Sequence, residues 1–305
     1  MKELIVISGK GGTGKTSLTG SFATLAQGAV IADCDVDAAD LHLLLAPEII
    51  ETQPFVAGFE ALIDSDRCNG CGTCAVHCRY EAIEPGETGP YRVDPLACEG
   101  CGLCVEVCPE HAISLRDRTC GEWYRSATHC GPLVHARLDV AGENSGRLVS
   151  LVRKEARRLA ERDGRELILV DGPPGTGCPV IASITGADGV LIVTEPTVSG
   201  EHDLVRVLDL TVHFGVPAMV CINKSDLSPE LAERISELAE CRGAPVLARL
   251  PYDDAVTAAQ IQSKAVVEAT DRPIAQMIRA LFEQCLDRLG ASPRPLRREP
   301  AQPPA

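Results

Sequence analysis

The stretch ELIVISGKGGTGKT, from Glu3 to Thr16, decides the fold of this 305-residue chain. Its first six residues are mostly apolar, as in a buried parallel strand, and a glycine-rich turn follows them directly. That turn, Gly9 to Thr16, fits the pattern G-x-x-x-x-G-K-[ST] of a phosphate-binding loop between a strand and a helix. The stretch therefore predicts an α/β fold with a nucleotide site at the carboxyl end of its first strand.

The turn also contains the side chains that such a site needs. Its backbone N–H groups can close around phosphate oxygens, Lys15 can neutralise the β- and γ-phosphates, and the Thr16 hydroxyl can ligate Mg²⁺. The predicted nucleotide-binding residues here are Gly9, Lys10, Gly11, Gly12, Thr13, Gly14, Lys15, Thr16 and Ser17. A second glycine-rich run, GPPGTGCP, has Cys178 where the lysine would stand and is therefore not another phosphate loop.

Strand and helix patterns alternate along the rest of the chain. Apolar runs predict further strands at 29–35, 166–171, 189–196 and 217–226, with weaker strand signals in 122–140. Amphipathic patterns predict helices at 143–164, at 228–240 and from Pro273 onward. The apolar face predicted for the first helix is Leu148, Val149, Val152, Ala156, Leu159 and Ala160, and that for the last is Ile274, Met277, Ile278, Leu281, Phe282, Cys285, Leu286 and Leu289. This alternation predicts a P-loop NTPase of the α/β class, with a mostly parallel sheet and helices on both of its faces.

The amino-acid composition indicates what the core is made of and which classes of binding partner are disfavoured. Hydrophobic residues make up 45% of the chain but aromatic residues only 3%, so we expect a core of Val, Ile, Leu and Ala. A net charge of −14 argues against binding to nucleic acid or anionic lipid. Neither a membrane-spanning run nor a signal peptide is recognisable, so we expect a soluble cytoplasmic protein that does not bind membranes.

Eight of the fifteen cysteines lie in two similar runs. RCNGCGTCAVHCRYEAIE spans 67–84 and ACEGCGLCVEVCPEHAIS spans 97–114, and each contains C-x2-C-x2-C-x3-C. In a large chain expected in the cytoplasm, this clustering favours metal ligation over disulfides. The scattered seven are expected to be small buried hydrophobes: Cys34, Cys120, Cys130, Cys178, Cys221, Cys241 and Cys285.

The paired runs resemble the bacterial ferredoxins, which hold two [4Fe–4S] clusters in a small α+β domain. In that family the fourth cysteine of each run ligates the other cluster. The resemblance implies one ligand set of Cys68, Cys71, Cys74 and Cys108, and a second of Cys98, Cys101, Cys104 and Cys78. Structural zinc is the alternative, although the spacing fits it less well. Arg79 stands where the ferredoxin pattern has proline after the fourth cysteine.

Because it contains a second lysine, Lys10, the phosphate loop resembles the deviant loop of the MinD/ParA/Mrp superfamily. That superfamily includes the nitrogenase iron protein. Three other segments join the resemblance: DCDVDAADL from Asp33, LILVDGPPGTG from Leu167 and CINKSD from Cys221. The resemblance implies an ATP-dependent homodimer in which Lys10 reaches the partner's nucleotide. It also implies that Asp35 positions the attacking water, that Asp171 lies near Mg²⁺, directly or indirectly, and that Asn223 recognises adenine.

Other interpretations stay open for three residues. Asp33 and, less readily, Asp35, the two aspartates of the D-x-D, could instead be a solvated strand end or a helix cap. Cys178 follows Asp171 at the offset of a bridging cluster ligand in the nitrogenase iron protein. Across a dimer it could bind a third cluster, with Cys34 or Cys130 completing the ligands. Alternatively, Cys178 is a buried cysteine that opens a helix.

These patterns predict four segments. They are a first ATPase part at 1–58, a ferredoxin-like insert at 59–117, a second ATPase part at 118–290 and a disordered Pro-rich tail at 291–305. The insert lies between the acidic segment after the second strand and Asp171, which are the nucleotide-responsive parts of this fold.

Three functions are compatible with this organisation. In the first, a slow, partner-stimulated ATPase couples its nucleotide state to electron transfer from two clusters to a partner metalloprotein. In the second, the protein is an Mrp-like carrier or assembly factor for metalloclusters, although this chain lacks the C-terminal C-x-x-C usual in that group. In the third, it is a ParA- or MinD-type positioning ATPase, which the acidic charge disfavours. The expected cofactors are ATP, Mg²⁺ and two [4Fe–4S] clusters.

Overall fold

The computed structural model describes residues 1–86, 89–139 and 145–291. The chain divides into two compact units, of which unit 1 is Met1–Gln53, Trp123–Arg137 and Ser145–Ala305. Unit 2 is Pro54–Glu122 and Leu138–Asn144. The tail predicted to be disordered lies, apart from Ala291, outside the described residues.

Eleven strands and eleven α-helices are present in the described residues. The strands are β1 (Lys2–Ser8), β2 (Val30–Asp33), β3 (Glu48–Ile63), β4 (Ile83–Gly86), β5 (Gly89–Val93), β6 (Ile113–Thr128), β7 (Gly131–Leu138), β8 (Leu167–Pro174), β9 (Gly189–Thr194), β10 (Ala218–Ile222) and β11 (Val246–Arg249). The helices are α1 (Lys15–Ala26), α2 (Leu41–Leu45), α3 (Thr73–His77), α4 (Leu103–Glu106), α5 (Ser145–Arg162), α6 (Cys178–Ile184), α7 (Val198–His213), α8 (Pro229–Cys241), α9 (Asp254–Ile261), α10 (Val266–Ala269) and α11 (Pro273–Leu289).

The main sheet has nine strands in the order β11-β10-β9-β1-β8-β2-β7-β6-β3. Pairing is parallel from β11 through to β7, so these strands end at one common edge of the sheet. This is the mostly parallel sheet that the alternating sequence pattern predicts. In unit 2, β4 and β5 form a separate antiparallel pair.

The central strand β1 is buried on both faces. Leu4 and Val6 belong to a core cluster that also contains side chains of α1 and α11. Ile5 and Ile7 point to the opposite face, because successive side chains of a strand alternate, and they too are 0% exposed. Helix α5 packs against β2 and β8 and forms hydrogen bonds to the side chain of Glu3. Helices therefore cover both faces of the sheet, as expected.

The predicted apolar faces of the two long helices are buried. In α5 the buried residues are Leu148, Val149, Val152, Arg153, Ala156, Leu159 and Ala160, of which only Arg153 was not predicted. In α11 seven of the eight predicted positions are buried, and Met277 packs partly buried against the same cluster. Arg153 is tolerated in the core because its guanidinium forms hydrogen bonds to both carboxylate oxygens of Glu3, at 2.8 and 2.9 Å.

Strand β3 was not predicted from the sequence. It is the last strand of the main sheet in this order, and most of its residues are exposed, so it carries no regular alternation of apolar and polar side chains. Both β3 and β6 are long strands that begin in one unit and end in the other along the chain. None of the helices in the described part of the chain is long and apolar enough to cross a membrane.

Candidate functional site

The predicted phosphate loop is the turn between β1 and α1. Gly14 caps the helix with a φ of 89°, a conformation that strongly favours glycine. A Cβ at Gly14 would also lie 2.4 Å from Nδ2 of Asn223. The hydroxyl of Thr13 is buried and has no hydrogen-bond partner within the described residues. It therefore keeps a donor for an oxyanion that enters the loop.

Lys15 is the first residue of α1 and is only 5% exposed. Its Nζ lies 3.0 Å from Oδ2 of Asp35 and 3.4 Å from Oδ1 of Asp171. Burial lowers the pKa of Lys15, but the carboxylates of Asp171 and Asp35 outweigh burial and raise this pKa above its ordinary value. The buried ammonium is therefore charged, and it can exchange a carboxylate partner for a phosphate oxygen.

Asp171 joins the residues predicted to hold Mg²⁺. Its Oδ2 accepts a hydrogen bond from the Thr16 hydroxyl at 2.8 Å, and its Oδ1 accepts one from the Thr19 hydroxyl at 2.9 Å. Carboxylate and hydroxyl oxygens are ligands that suit Mg²⁺, directly or through water. The structure thus brings Thr16 and Asp171 into contact, while their role as metal ligands stays a prediction.

Asp33 is buried beside this group, with 1% of its surface exposed. It pairs in register with Asp171, because β2 and β8 are parallel neighbours in the sheet. One of its oxygens accepts the N–H of Asp35 at 3.2 Å, and Oδ2 has no partner among the described residues. Burial, reinforced by Asp171, raises the pKa of Asp33 well above its ordinary value. The alternative of a solvated strand end is therefore wrong.

These side chains fit a site for a nucleotide with a divalent cation. The ammonium of Lys15 contacts the buried carboxyl groups of Asp35 and Asp171, and the buried carboxyl group of Asp33 lies on the strand next to that of Asp171. With all three ionised, the acidic groups exceed the lysine by two charges, and one of their oxygens lacks a partner. A divalent cation brought with the phosphates would balance that charge.

Lys10 is held within its own chain. Its Nζ lies 3.2 Å from the Glu195 carboxylate, and it donates to the hydroxyls of Thr197 and Ser199 at 3.2 and 3.4 Å. Glu195 stands directly after β9, and its other oxygen pairs with Lys224. Burial raises the pKa of Glu195, but hydrogen bonds from Lys224 and Lys10 outweigh it and hold this pKa below its ordinary value.

Asn223 contacts the phosphate loop. Its Nδ2 donates to the carbonyl oxygen of Thr13 at 2.8 Å, and its Oδ1 accepts the N–H of Lys224 at 3.0 Å. An asparagine amide has two N–H donors, so one is left for another acceptor such as a base. Recognition of adenine by Asn223 stays a prediction.

Sequence reasoning missed Thr19, Glu195 and Lys224. Lys224 Nζ donates to the carbonyl oxygen of Gly12 in the phosphate loop, at 3.2 Å. A signal for Lys224 was available, because it directly follows Asn223 in the segment CINKSD. Thr19 lies one helical turn after Lys15, so its position also could have been inferred. Nothing in the sequence indicated Glu195.

In unit 2 the eight clustered cysteines form two groups around two cavities. One cavity is lined by Cys68, Cys71, Cys74 and Cys108. The other is lined by Cys78, Cys98, Cys101 and Cys104. These are the two crossed sets that the ferredoxin resemblance implies, in which each run contributes its fourth cysteine to the other set. Their role as cluster ligands stays a prediction.

The surroundings of the two cavities suit iron-sulfur clusters. Cysteines of both sets pack with Ala61, Ala82, Ile83 and Ile113 in one apolar core cluster. The N–H of Ala112 donates to Sγ of Cys108 at 3.3 Å, and such N–H···S bonds tune the potential of a cluster. A Cβ on Gly100, between two cysteines, would lie 2.1 Å from the carbonyl oxygen of Phe59, so only glycine fits there.

The seven scattered cysteines divide into two classes. As expected, Cys34, Cys120, Cys130, Cys221 and Cys285 are buried. The expectation is wrong for Cys178 and Cys241, which are exposed. Cys178 opens α6, so the interpretation of it as a buried residue is corrected. The thiols proposed to complete a third cluster, Cys34 and Cys130, are enclosed by their own chain, which argues against ligation across a dimer.

A known protein family matches the cysteine-containing part of unit 2. The family described as "4Fe-4S dicluster domain" matches residues 61–115, within the predicted insert of 59–117. This match favours two [4Fe–4S] clusters over structural zinc.

Several curated proteins are similar in sequence. The uncharacterized protein MJ0578 of Methanocaldococcus jannaschii is 31% identical over 230 residues, which cover 74% of this chain and 79% of that protein. An uncharacterized ATP-binding protein of the same organism, MJ0547, is 28% identical over 116 residues, 37% of this chain and 43% of the relative. An iron-sulfur cluster carrier protein of Rickettsia typhi is 30% identical over 88 residues, 28% of this chain and 27% of the relative.

Solved structures of MinD proteins share the fold. The cell division ATPase MinD of Pyrococcus furiosus superposes with a TM-score of 0.55 at 18% identity, covering 94% of this chain and 98% of MinD. MinD of Pyrococcus horikoshii, solved in complex with Mg-ADP, gives a TM-score of 0.56 at 17% identity, with 93% and 95% coverage. At these identities the likeness establishes the fold, which is that of the MinD/ParA-type P-loop ATPases.

Proposed function

This chain belongs to the family of the M. jannaschii protein MJ0578, has the MinD/ParA-type fold and carries a 4Fe-4S dicluster domain, and we propose that it is an ATPase whose nucleotide state controls electron transfer from its clusters to a partner metalloprotein. Hydrolysis is slow in the free protein and is stimulated by that partner. The active form is a homodimer that assembles on ATP.

The placement of Lys15 between Asp35 and Asp171, at the start of α1, carries the ATPase part of the proposal. A phosphate group that enters the loop pairs with the ammonium of Lys15 in place of Asp35 and Asp171, and this exchange frees both carboxylates. Asp171 and Thr16 would hold Mg²⁺, and Asp35 orients the attacking water and accepts its proton while the bond between the γ-phosphorus and ADP breaks. The relative MJ0547, which is named as ATP-binding, supports ATP as the nucleotide.

Lys10, which the chain holds against its own Glu195, carries the dimerisation part of the proposal. In the ATP-bound dimer Lys10 leaves Glu195 and reaches the nucleotide of the partner subunit. Charge supports this exchange, because bound ATP presents more negative charge than a single carboxylate. The need to break contacts in the monomer is one reason for slow hydrolysis in the absence of a partner.

The path of the chain supports coupling to the clusters. The dicluster unit comprises Pro54–Glu122 and Leu138–Asn144, and both segments lie between Asp35 and Asp171 along the chain. Strands β3 and β6 lead into and out of it as unbroken strands. When bound, [4Fe–4S] clusters supply one-electron carriers of low potential. The cysteines hold them, and N–H donors such as that of Ala112 set their potential.

A carrier of iron-sulfur clusters is the second candidate function. The similarity to the R. typhi protein named as an iron-sulfur cluster carrier favours it. Cys71 and Cys101 are exposed, and exposed thiolates can be reached by an acceptor protein. A transfer assay with an apo-ferredoxin separates the two functions, since a carrier loses its clusters to the acceptor and an electron donor keeps them.

The main test is an EPR-monitored redox titration of the anaerobically purified protein. Midpoint potentials are measured with MgADP and with a non-hydrolysable ATP analogue. We expect a shift of about 60 mV or more, which is a tenfold change for a one-electron couple. A Lys15→Ala variant, which loses its phosphate partner, should show no shift. Equal potentials with both nucleotides bound would contradict coupling.

A further inference from the structure

A second set of metal-ligating side chains lies in unit 1, apart from the predicted Mg²⁺ site and from the cysteine runs. Strands β6 and β7 are connected by a turn whose two residues are His129 and Cys130. The Thr128 hydroxyl oxygen accepts the N–H groups of Cys130 and Gly131, each at 3.2 Å. This turn presents an exposed imidazole next to a buried thiol.

Glu268, in the short helix α10, meets this turn. Its Oε1 lies 2.9 Å from Nε2 of His129, and its Oε2 accepts the N–H of Ala265 at 3.0 Å. The second bond holds the carboxylate at the start of the helix, so that its first oxygen stays directed at the turn. One ligand atom each of His129, Cys130 and Glu268 lies within 4.8 Å of the other two.

We propose that His129, Cys130 and Glu268 bind a zinc ion with an open fourth position. Imidazole nitrogen, thiolate sulfur and carboxylate oxygen are the three ligand types of protein zinc sites, and the thiolate disfavours Mg²⁺ and Ca²⁺. In a tetrahedral site with bonds of about 2.0–2.3 Å, neighbouring ligand atoms are roughly 3.3–3.6 Å apart. In the observed group the imidazole and carboxylate atoms are 2.9 Å apart, and all three ligand atoms lie within 4.8 Å of one another, so their spacing brackets these values.

The neighbours of Cys130 support a metal-bound thiolate. The hydroxyl of Thr24, in α1, lies 3.6 Å from its Sγ and can donate to it. Metal ligands are commonly oriented by hydrogen bonds of this kind. Zinc would join the β6–β7 turn to α10, next to α1, the helix that begins with Lys15.

The test uses the full-length protein with its clusters in place, equilibrated with Zn²⁺ alone. We expect one zinc per chain at this site, and at least tenfold weaker binding in His129→Gln, Cys130→Ala and Glu268→Gln. The controls are His213→Gln and Cys241→Ala, which remove another histidine and an exposed cysteine. His129 is exposed, so its variant is expected to fold even if Cys130→Ala does not.

Zinc X-ray absorption then separates this site from zinc in the cysteine runs. The proposed site gives a shell of one sulfur at about 2.3 Å and nitrogen or oxygen neighbours at about 2.0–2.2 Å. A shell of three or four sulfurs would assign the zinc to the cluster cysteines and overturn the proposal. Zinc binding that is unchanged in His129→Gln and Cys130→Ala would overturn it as well, because the three residues would then be a hydrogen-bonded contact alone.

Discussion

Lys10 forms an ion pair with Glu195 inside its own chain, with 3.2 Å between Nζ and Oε2. The lysine that the superfamily resemblance assigns to the partner's nucleotide is thus paired with a carboxylate of its own chain. Its side chain is 30% exposed and that of Glu195 is 10% exposed, so the pair is only partly screened by water. Dimer formation therefore has to compete with this contact.

A Glu195→Gln variant should dimerise more tightly on ATP. Loss of the carboxylate removes the competing contact, which is worth roughly 0.3–1 kcal/mol for a partly exposed pair. We expect a dimer dissociation constant about two- to fivefold lower, measured by analytical ultracentrifugation with a non-hydrolysable ATP analogue. Glu201→Gln, which breaks a surface pair with Arg234, is the control. An unchanged dimer dissociation constant would count against competition between the Lys10–Glu195 contact and dimerisation. So would a Lys10→Ala variant that still dimerises on ATP.

Lys15→Ala should affect both binding and stability. ATP affinity should fall at least a hundredfold, because the main cation of the phosphate site is removed. Without nucleotide the variant should lose about 3 kcal/mol of unfolding free energy, since Asp35 and Asp171 remain buried without their partner. Fluorescent-nucleotide titration and urea unfolding measure the two effects. Lys264→Ala, at an exposed position, should change neither.

Asp35→Asn should separate binding from hydrolysis. The amide keeps the size of the side chain but cannot accept the proton of the attacking water. We expect the rate of phosphate release to fall about a hundredfold or more, with the ATP dissociation constant changed only a few-fold. Asp37→Asn, two residues along at an exposed position, is the matched control. An unchanged rate of ATP hydrolysis in Asp35→Asn would show that Asp35 does not take part in the hydrolysis step.

The crossed cysteine sets predict a pattern of iron loss. Cys68 and Cys108 line the same cavity. The variants Cys68→Ala and Cys108→Ala, and the double variant that combines them, should therefore each retain about four of roughly eight irons. Combining Cys78→Ala with Cys108→Ala should remove both clusters, because these residues line different cavities. Cys120→Ala should keep all the iron. If each cysteine run instead held its own cluster, the double variant of Cys68→Ala and Cys78→Ala would lose only one cluster.

His135 predicts a loss of stability in mild acid. Burial, with a smaller contribution from His42, lowers the pKa of His135 to about 4, below its ordinary value of 6.5. The neutral ring, 2.9 Å from the Ser126 hydroxyl, favours the folded state above pH 6.5, and this contribution is lost as the pH falls toward 4. Between pH 7.5 and 5.5 the wild type should lose about 1 kcal/mol more than His135→Gln in urea unfolding. His202→Gln, at an exposed histidine, should behave like the wild type.

Local patterns were sufficient for the elements that the sequence predicted correctly. The phosphate loop needs a strand, a glycine turn and a lysine within a few residues, and all of these are contiguous. The core face of α5 repeats with helical period, so Leu148 and Val152 could be assigned to the core from their spacing alone. The cysteine runs are likewise complete as local patterns.

Elements without a local pattern were missed. Strand β3 has mostly exposed side chains, so neither face carries an apolar alternation. Cys178 was expected to be buried because cysteines usually are, but its place at the start of α6 leaves it exposed. Glu195 gave no signal because its partners are 185 residues back along the chain, at Lys10, and 29 residues ahead, at Lys224.

The sequence by itself determined the phosphate loop, the two cysteine runs and the alternation that makes a parallel sheet, because short-range spacing and side-chain chemistry specify these features. Only the tertiary structure decided that Asp35 and Asp171 contact Lys15, and that His129 and Cys130 meet Glu268. Parallel strands bring together residues far apart in sequence wherever they end at a common edge, and the hairpin turn reaches α10 only through packing. Such proximity depends on strand order and register, which no local pattern encodes.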